Sequence, residues 1–350
     1  MKPKYKIGIW GQFGDGINKI ADGQAVRTTV ITEELKKRYG EENIYVVNTN
    51  NWRKHPIKFL FRTIKLNAVS GKVVIFPADN GFKVGVPIFN ISNAIFKREL
   101  YDVVIGGFLP ALLKRKPKYV KMLKKYKALF VQTPNLEKDL EELGLERIYI
   151  LSNLKRLNTI KPEEVSVCSE QYVKVCTLSR ITATKGIDYA INSVKMANEK
   201  LGGNYIHLDV FGIPADGYRE IFDELVEKNS DFVSYGGIID YDKTTETLKD
   251  YFLMLFPTFY HGEGFPGNVI DAYNAALPII ATDWNYNKDA IKDGENGILV
   301  PIKNTKAMCE ALLSLYNDRE RAYKIAINNL ETAKQYMPDK VLAKFYEFMD

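Results

Sequence analysis

His261 to Asp271 reads HGEGFPGNVID, directly after the apolar run YFLMLFPT (Tyr251–Thr258) and directly before the apolar-periodic run Ala272–Ala276. A buried strand, a turn broken by glycine and proline, and a helix start are the expected structures, in that order. Glu263 and Asp271 stand eight positions apart, so two carboxylates meet one helix start. With the helix opening near Pro266, that spacing spans about 12 Å at 1.5 Å per residue, which sets the carboxylates at opposite ends of one extended ligand. Pro266 suits a first helical turn, and Gly262, Gly264 and Gly267 expose backbone N–H groups there that favour a phosphate. Hydroxyl groups donate to carboxylates, so a sugar at Glu263 and a ribose at Asp271 are the matching partners. Each carboxylate taken singly also fits an ordinary loop or helix surface.

A second stretch, LSRITATKG (Leu178–Gly186), has the same edge-of-sheet character. Arg180 leaves the end of the strand-like run VKVCTLS (Val173–Ser179), and Lys185 stands before the next helix. Open α/β sheets bind ligands at that edge. Two cations on one such loop can clamp a diphosphate and stabilise charge on a leaving group, or can be a pair of surface cations.

Outward from these loops, strand-like runs alternate with helical patterns along the whole chain. Strands are expected at 6–10, 44–48, 72–76, 102–106, 128–133 and 147–151, and again at 173–179, 205–212, 232–237, 252–257, 278–283 and 297–301. The polar stretch NLKRLNTIKPEE (Asn153–Glu164) carries no period and is the expected linker. After Asn304 the pattern is helical, broken near Asn317 and divided by Pro338. Alternation of this kind predicts parallel sheets covered on both faces. At 350 residues, with 46% hydrophobic and 26% charged side chains, two domains are expected: 1–160, 161–335 and a terminal helix 336–350 packing back on the first.

The first strand is followed by a glycine-rich loop with Gly11, Gly14, Gly16 and Gly23, then by a helix from Gln24. The spacing does not match G-x-G-x-x-G, and no acidic residue ends the next strand, which disfavours a dinucleotide. Gly23 is the expected point of backbone approach to a ligand. Asp79 and Asn80, after the run KVVIF (Lys72–Phe76), are further candidates.

Charge divides unevenly: residues 1–160 hold 29 Lys and Arg against 14 Asp and Glu, whereas the remainder has 20 against 29. The first half should therefore attract an anionic substrate or surface. The densest basic segment, Lys114–Lys127, alternates with Leu112, Leu113, Val120, Met122 and Leu123, and its partner is expected to be an anionic membrane surface, unless it is only a solvated helix face. No helix-turn-helix, RNA-recognition or zinc-finger pattern supports nucleic acid. No apolar run reaches the roughly 20 residues that span a bilayer, and no signal-peptide pattern opens the chain, so a cytoplasmic protein, peripheral at the inner membrane surface, is expected. Cys168, Cys176 and Cys309 lack metal-ligand spacing, and the three histidines are scattered, so no metal site is expected. His261 beside the acidic turn is a candidate ligand or base, or a residue fixing the turn by a hydrogen bond.

LSRITATKG, followed about eighty residues later by FPTFYHGEGFPGNVIDAYNAALPIIATDWNYNKDAIKDGENGILV, resembles the retaining glycosyltransferases of family 4, the glycosyl transferases group 1 of bacterial surface-polysaccharide type. The likeness extends over 173–335 and includes Gly212, Pro257 and the Asn296–Val300 ending. It implies a GT-B fold: two Rossmann-like doubly wound parallel-sheet domains facing a cleft. It further implies sugar transfer with retention from a nucleotide-diphosphate sugar, UDP-sugars being favoured, to a glycan, lipid-linked or protein acceptor. In that pattern Arg180 and Lys185 bind the diphosphate, Glu263 the sugar and Asp271 the ribose. Phe265, Pro266, Gly267 and Asn268 supply backbone to the phosphates, Gly23, Gly212 and Gly264 also line the donor, and no metal or other cofactor is required. The family usually has Glu where this chain has Asp271, and its first-domain histidine has no clear counterpart, since His55 lies in a loop before Pro56. A sugar-nucleotide epimerase or hydrolase of the same fold, or a non-catalytic sugar-nucleotide or anionic-surface binding protein, would share much of this pattern.

Overall fold

The computed structural model describes residues 2–13, 23–156 and 159–350. Gly14 and Gly16 of the glycine-rich loop lie outside the described residues, as do two positions of the 153–164 stretch. The chain divides into two compact units, Met1–Arg156 with Met337–Asp350, and Leu157–Tyr336.

In the first unit strands and helices alternate: β1 (Tyr5–Gly11), α1 (Gly23–Tyr39), β2 (Ile44–Asn48), α2 (Pro56–Val69), β3 (Ser70–Phe76), α3 (Asp79–Phe96), β4 (Glu99–Val103), α4 (Leu109–Arg115), α5 (Lys118–Leu123), β5 (Ala128–Val131), α6 (Pro134–Glu141) and β6 (Ile148–Ile150). The strands form one parallel sheet in the order β2-β1-β3-β4-β5-β6. Continuous apolar runs such as Val73–Phe76 and Ala128–Val131 are fully buried because helices cover both faces of the sheet. Thr133 caps α6 by accepting from the Leu136 N–H at 3.2 Å.

Two expectations shift here. β4 begins at Glu99 rather than 102, because pairing with β3 starts at Glu99 opposite Lys72 and the chain turns at Gly106, φ 74°. The basic segment is not one amphipathic helix: it breaks at Pro117 into α4 and α5, whose Leu112, Leu113, Tyr119 and Leu123 are buried.

The end of the chain, α14 (Pro338–Val341) and α15 (Ala343–Met349), belongs to the first unit. Phe345 and Met349 are wholly buried there, and the Phe345 and Phe348 rings pack on Phe130 and Tyr149 at centroid distances of 4.9 and 4.7 Å. Asp350 takes hydrogen bonds from Arg38 at 2.9 Å and the Tyr39 hydroxyl at 2.6 Å.

The second unit contains β7 (Val173–Leu178), α7 (Ile187–Leu201), β8 (Ile206–Phe211), α8 (Arg219–Lys228), β9 (Val233–Gly237), α9 (Thr244–Leu248), β10 (Leu253–Phe256), α10 (Gly267–Asn274), β11 (Ile279–Thr282), α11 (Asn287–Ala290), β12 (Ile298–Val300), α12 (Thr305–Asn317) and α13 (Arg319–Ala333). Its sheet is again parallel, ordered β12-β11-β10-β7-β8-β9. Counted within the unit, that is the 3-2-1-4-5-6 order of a doubly wound fold, and the sense of winding reverses between β7 and β10. Side chains alternate between two cores: Val173 and Val175 join one, Cys176 the other. Asn304 and Asp318 cap α12 and α13, accepting from the N–H groups of Ala307 and Arg321, which explains the break near Asn317. No helix among the described residues is long and apolar enough to cross a membrane.

Candidate functional site

In a doubly wound sheet, the crevice for a ligand opens at the carboxyl ends of the two strands where the winding reverses. Here those strands are β7 and β10, and the loops that leave them are Ser179–Gly186 and Pro257–Pro266. Arg180 and Lys185 lie on the first loop, His261 and Glu263 on the second.

Glycines hold the first loop in place. Gly212, at the end of β8 with φ 132°, brings its Cα so close to Ser179 that a Cβ would stand 1.8 Å from the Ser179 carbonyl oxygen. Gly186, φ 71°, touches Pro257 in the same way, at 2.3 Å from its carbonyl oxygen. Between them Ile181 extends the β-pairing, its N–H donating to Ile213 O at 2.8 Å, while the Ala215 N–H donates back to Ile181 O. The Phe259 N–H donates to Thr184 O at 2.9 Å, which ties the two loops together.

That tie brings Lys185 to Glu263, 78 residues further on: Nζ donates to Oε2 at 2.6 Å, with each side chain about nine-tenths buried. The same carboxylate oxygen accepts the Thr258 hydroxyl at 2.9 Å. Thr258 is itself held by Thr282, whose hydroxyl donates to the Thr258 carbonyl. The Lys185 ammonium also sits 5.3 Å from the Tyr260 ring centroid and 5.8 Å from that of Phe256. Arg180 differs: it is exposed, and its guanidinium makes no hydrogen bond or ion pair among the described residues.

Further along, Phe265 is 5% exposed and packs on Tyr336 at 4.9 Å, which anchors the turn to the core. Pro266 is the residue before α10, and Gly267 and Asn268 open the helix, where the first N–H groups have no intrahelical acceptor. The Asn268 amide donates to Leu178 O at 2.5 Å, fastening the helix start to the end of β7. Asp271 lies one turn into α10 and is 2% exposed, more deeply set than Glu263 at 8%. His261 is exposed, its ring edge-on to Trp284 at 5.1 Å. Asn285 donates to His261 O at 3.1 Å, and the Trp284 indole donates to Tyr260 O at 2.9 Å. The His261 ring thus packs on an aromatic partner while its backbone fixes the turn.

Arg180, Lys185, Glu263, His261, Gly212 and the 264–271 stretch all gather at this sheet edge. Gly23, Asp79 and Asn80 belong to the first unit: Gly23 opens α1, where an added Cβ would meet none of the described residues, and Asp79 opens α3, paired with Lys83 at 2.6 Å. Asn80 follows Asp79 in the first turn of α3. Thr258, Tyr260 and Thr282 are contacts that spacing did not single out. The available signal was a hydroxyl residue at or just past the end of each of two buried strands: Thr282 closes β11, and Thr258 stands two residues beyond β10.

A cluster of three or more His, Cys, Asp or Glu side chains fit to hold a metal ion is not found among the described residues.

Two parallel-sheet units of this topology define the GT-B class, and solved structures agree. Sucrose-phosphate synthase from Thermosynechococcus elongatus superposes with a TM-score of 0.79 at 13% identity, covering 98% of both chains. Anabaena Alr3699/HepE, solved in complex with UDP, gives 0.76 at 12% identity, covering 98% of this chain and 99% of its own. The family model described as glycosyl transferases group 1 matches residues 173–318, which lie within the second unit. Among curated relatives, the GtfA subunit of the UDP-N-acetylglucosamine–peptide N-acetylglucosaminyltransferase of Streptococcus agalactiae is 26% identical over 181 residues, covering 49% of this chain and 34% of the relative. The poly(glycerol-phosphate) alpha-glucosyltransferase of Bacillus subtilis (strain 168) is 23% identical over 227 residues, covering 61% and 32%. The chain spans about a third of the length of these two relatives.

Proposed function

We propose that this protein is a retaining glycosyltransferase that moves a sugar from a UDP-sugar to a hydroxyl acceptor, without a metal ion. The observation that carries the reading is the Lys185–Glu263–Thr258 cluster on the two loops where the second sheet reverses its winding, with Arg180 exposed on the first of those loops. Glu263 accepts hydroxyl groups of the donor sugar, with Thr258 and Lys185 fixing which way its carboxylate faces. Asp271 takes the ribose, and the N–H groups at the start of α10 meet the phosphates. Gly264 and Phe265 bring backbone to that point, and Gly212 sets the Ser179–Arg180 backbone beneath it.

As the bond from the anomeric carbon to the diphosphate oxygen breaks, negative charge grows on that oxygen. Arg180 and Lys185 stabilise it, the electrostatic term that is commonly the largest in such sites. The acceptor oxygen bonds to the anomeric carbon on the face the diphosphate leaves, and the acceptor proton passes to the departing phosphate oxygen.

UDP as the nucleotide is supported by the name of the Streptococcus agalactiae relative and by the UDP complex of the HepE structure. The strongly basic first half favours an anionic acceptor, either a phosphate-bearing polymer, a lipid-linked glycan presented at a membrane with Lys114–Lys127 near its headgroups, or an acidic protein segment. The related enzymes named for poly(glycerol-phosphate) and for peptide bracket that range.

A panel of UDP-sugars scored by thermal shift identifies the donor, since a ligand that binds only the folded state raises its stability. Transfer is then followed by UDP release with candidate acceptors. Arg180→Ala should leave the melting temperature unchanged, because the exposed side chain has no partner among the described residues, and should lower transfer at least about tenfold, or 1.4 kcal/mol. Full transfer by Arg180→Ala and by Glu263→Gln would overturn the site assignment; UDP release that needs no acceptor would turn the reading to donor hydrolysis.

A further inference from the structure

Ten large apolar side chains are exposed among the described residues, and five of them, Ile57, Leu60, Phe61, Ile91 and Ile95, lie on α2 and α3. Four of these are 70–75% exposed, whereas none of the other five exceeds 52%. The two helices cover one face of the first sheet side by side. Phe59 and Phe89 both pack on Trp10 of β1, and the Asn67 amide donates to the Ser92 hydroxyl at 2.8 Å. Each helix thus has an inward apolar stripe that builds the core and a second, outward one that faces solvent: Ile57 with Phe61, and Ile91 with Ile95, both pairs one turn apart.

The charges around the outward stripe are of one sign. From Arg53 to Arg98 the sequence has nine Lys and Arg and one acidic residue before Glu99, Asp79, which is paired with Lys83. Among the described residues Lys54, Lys58 and Arg62 make no ion pair, and Trp52 stands under Arg53 at 5.5 Å, so aromatic and cationic groups are interleaved at the N-terminal end of α2. The contrast with Lys114–Lys127 is informative. There the apolar residues are buried or half-buried and only cations, with Ala111 and Pro117, reach solvent, so that segment can attract anions but has nothing to insert.

We propose that the α2–α3 face docks on an anionic lipid bilayer. Phe61, Ile57, Ile91 and Ile95 enter the boundary between headgroups and acyl chains, and Lys54, Lys58, Arg62 and Lys65 meet lipid phosphates. The occupant follows from the combination: apolar side chains on a cationic field match a surface that is negative outside and hydrocarbon within. The proposal does not depend on the transfer reading, since neither the donor loops nor Glu263 takes part.

The test is sedimentation of the full chain with vesicles of phosphatidylcholine alone and of phosphatidylcholine with phosphatidylglycerol in equal parts, at low and high salt. Wild type is expected to pellet with the anionic vesicles, at least about tenfold above the neutral ones, and to lose most of that binding in high salt. The double variant Ile57→Ser/Phe61→Ser should lose anionic binding about tenfold while keeping its melting temperature and its UDP-sugar thermal shift, because both side chains are exposed. Lys118→Glu/Lys121→Glu on α5 should lower binding less than the apolar variant does. Equal pelleting with both vesicle types, or undiminished binding by the Ile57→Ser/Phe61→Ser variant, would overturn the proposal. So would a wild-type dimer in solution that this variant converts to monomer, since the face would then be an interface between copies of the chain.

Discussion

Lys185 and Glu263 are distant in sequence and nearly buried, yet they meet at 2.6 Å. Removing one member of such a pair strands the other charge, while removing both leaves little behind. A double-mutant cycle of Lys185→Met and Glu263→Gln, read by chemical denaturation, should therefore show a coupling of about 1–3 kcal/mol. A coupling near zero would mean that the two side chains are neighbours without depending on each other. Asp102 is a different case. It lies in β4, wholly buried, with neither carboxyl oxygen hydrogen-bonded among the described residues, and burial holds its carboxyl well above the usual carboxylate range. The unfolded chain releases this proton near pH 3.9, about the ordinary value for Asp, while the folded chain keeps it. Because the native state then binds more protons, stability falls as pH rises above about 4 and goes on falling until the raised folded value is reached. Asp102→Asn removes that dependence. Its melting temperature should exceed wild type at pH 7, with the difference shrinking as pH is lowered toward 3, and a constant difference across that range would contradict the account.

At the scale of elements, the two loops that leave β7 and β10, proposed to hold the donor, owe their shape to glycines that ordinary side chains cannot replace. A Cβ at Gly212 would overlap the Ser179 carbonyl, and φ 132° is strained for any L side chain. Gly212→Ala should cost about 3 kcal/mol or more and should also weaken nucleotide binding, because the Ser179–Arg180 backbone must move away. Denaturation and thermal shift with UDP together read both effects; an unchanged nucleotide shift would separate this glycine from the site. The strands on which these loops sit were legible in the sequence, because a strand buried on both faces is a continuous apolar run and leaves little choice of register. β10 is the example: LMLF is wholly buried. The ends of elements were less legible. β4 starts three residues early because pairing with β3, a contact between strands, decides its start. The basic segment splits because Pro117 removes a helical N–H donor, although the spacing of Leu112 to Leu123 fits one helix. In the site, residue types at the sheet edge pointed to Arg180, Lys185 and Glu263. Thr258 and Thr282 escaped notice because their part depends on which way a hydroxyl faces across two loops.

On the scale of the whole molecule, the chain's path separates sequence order from structural membership. Residues 337–350 return to the first unit after the second, so the first unit's core is closed by a segment that follows the whole second unit in sequence. Phe345 carries much of that closure: it is fully buried, edge-on to Phe130 at 4.9 Å, beside Phe348, whose ring meets Tyr101, Phe130 and Tyr149. Truncating a buried Phe to Ala costs about 3–5 kcal/mol, partly from lost burial and partly from the cavity left. Each unit has its own sheet and its own core, and such units unfold as separate cooperative blocks unless something couples them. Phe345→Ala should then lower the protection of backbone amides in β3 to β6 against hydrogen exchange while leaving β7 to β12 as in wild type. Its UDP-sugar thermal shift should persist, since the loops proposed to hold the donor leave β7 and β10. Equal loss of protection in both sheets would show instead that the units fold as one block, and that the stability of the donor site depends on the tail that closes the other unit.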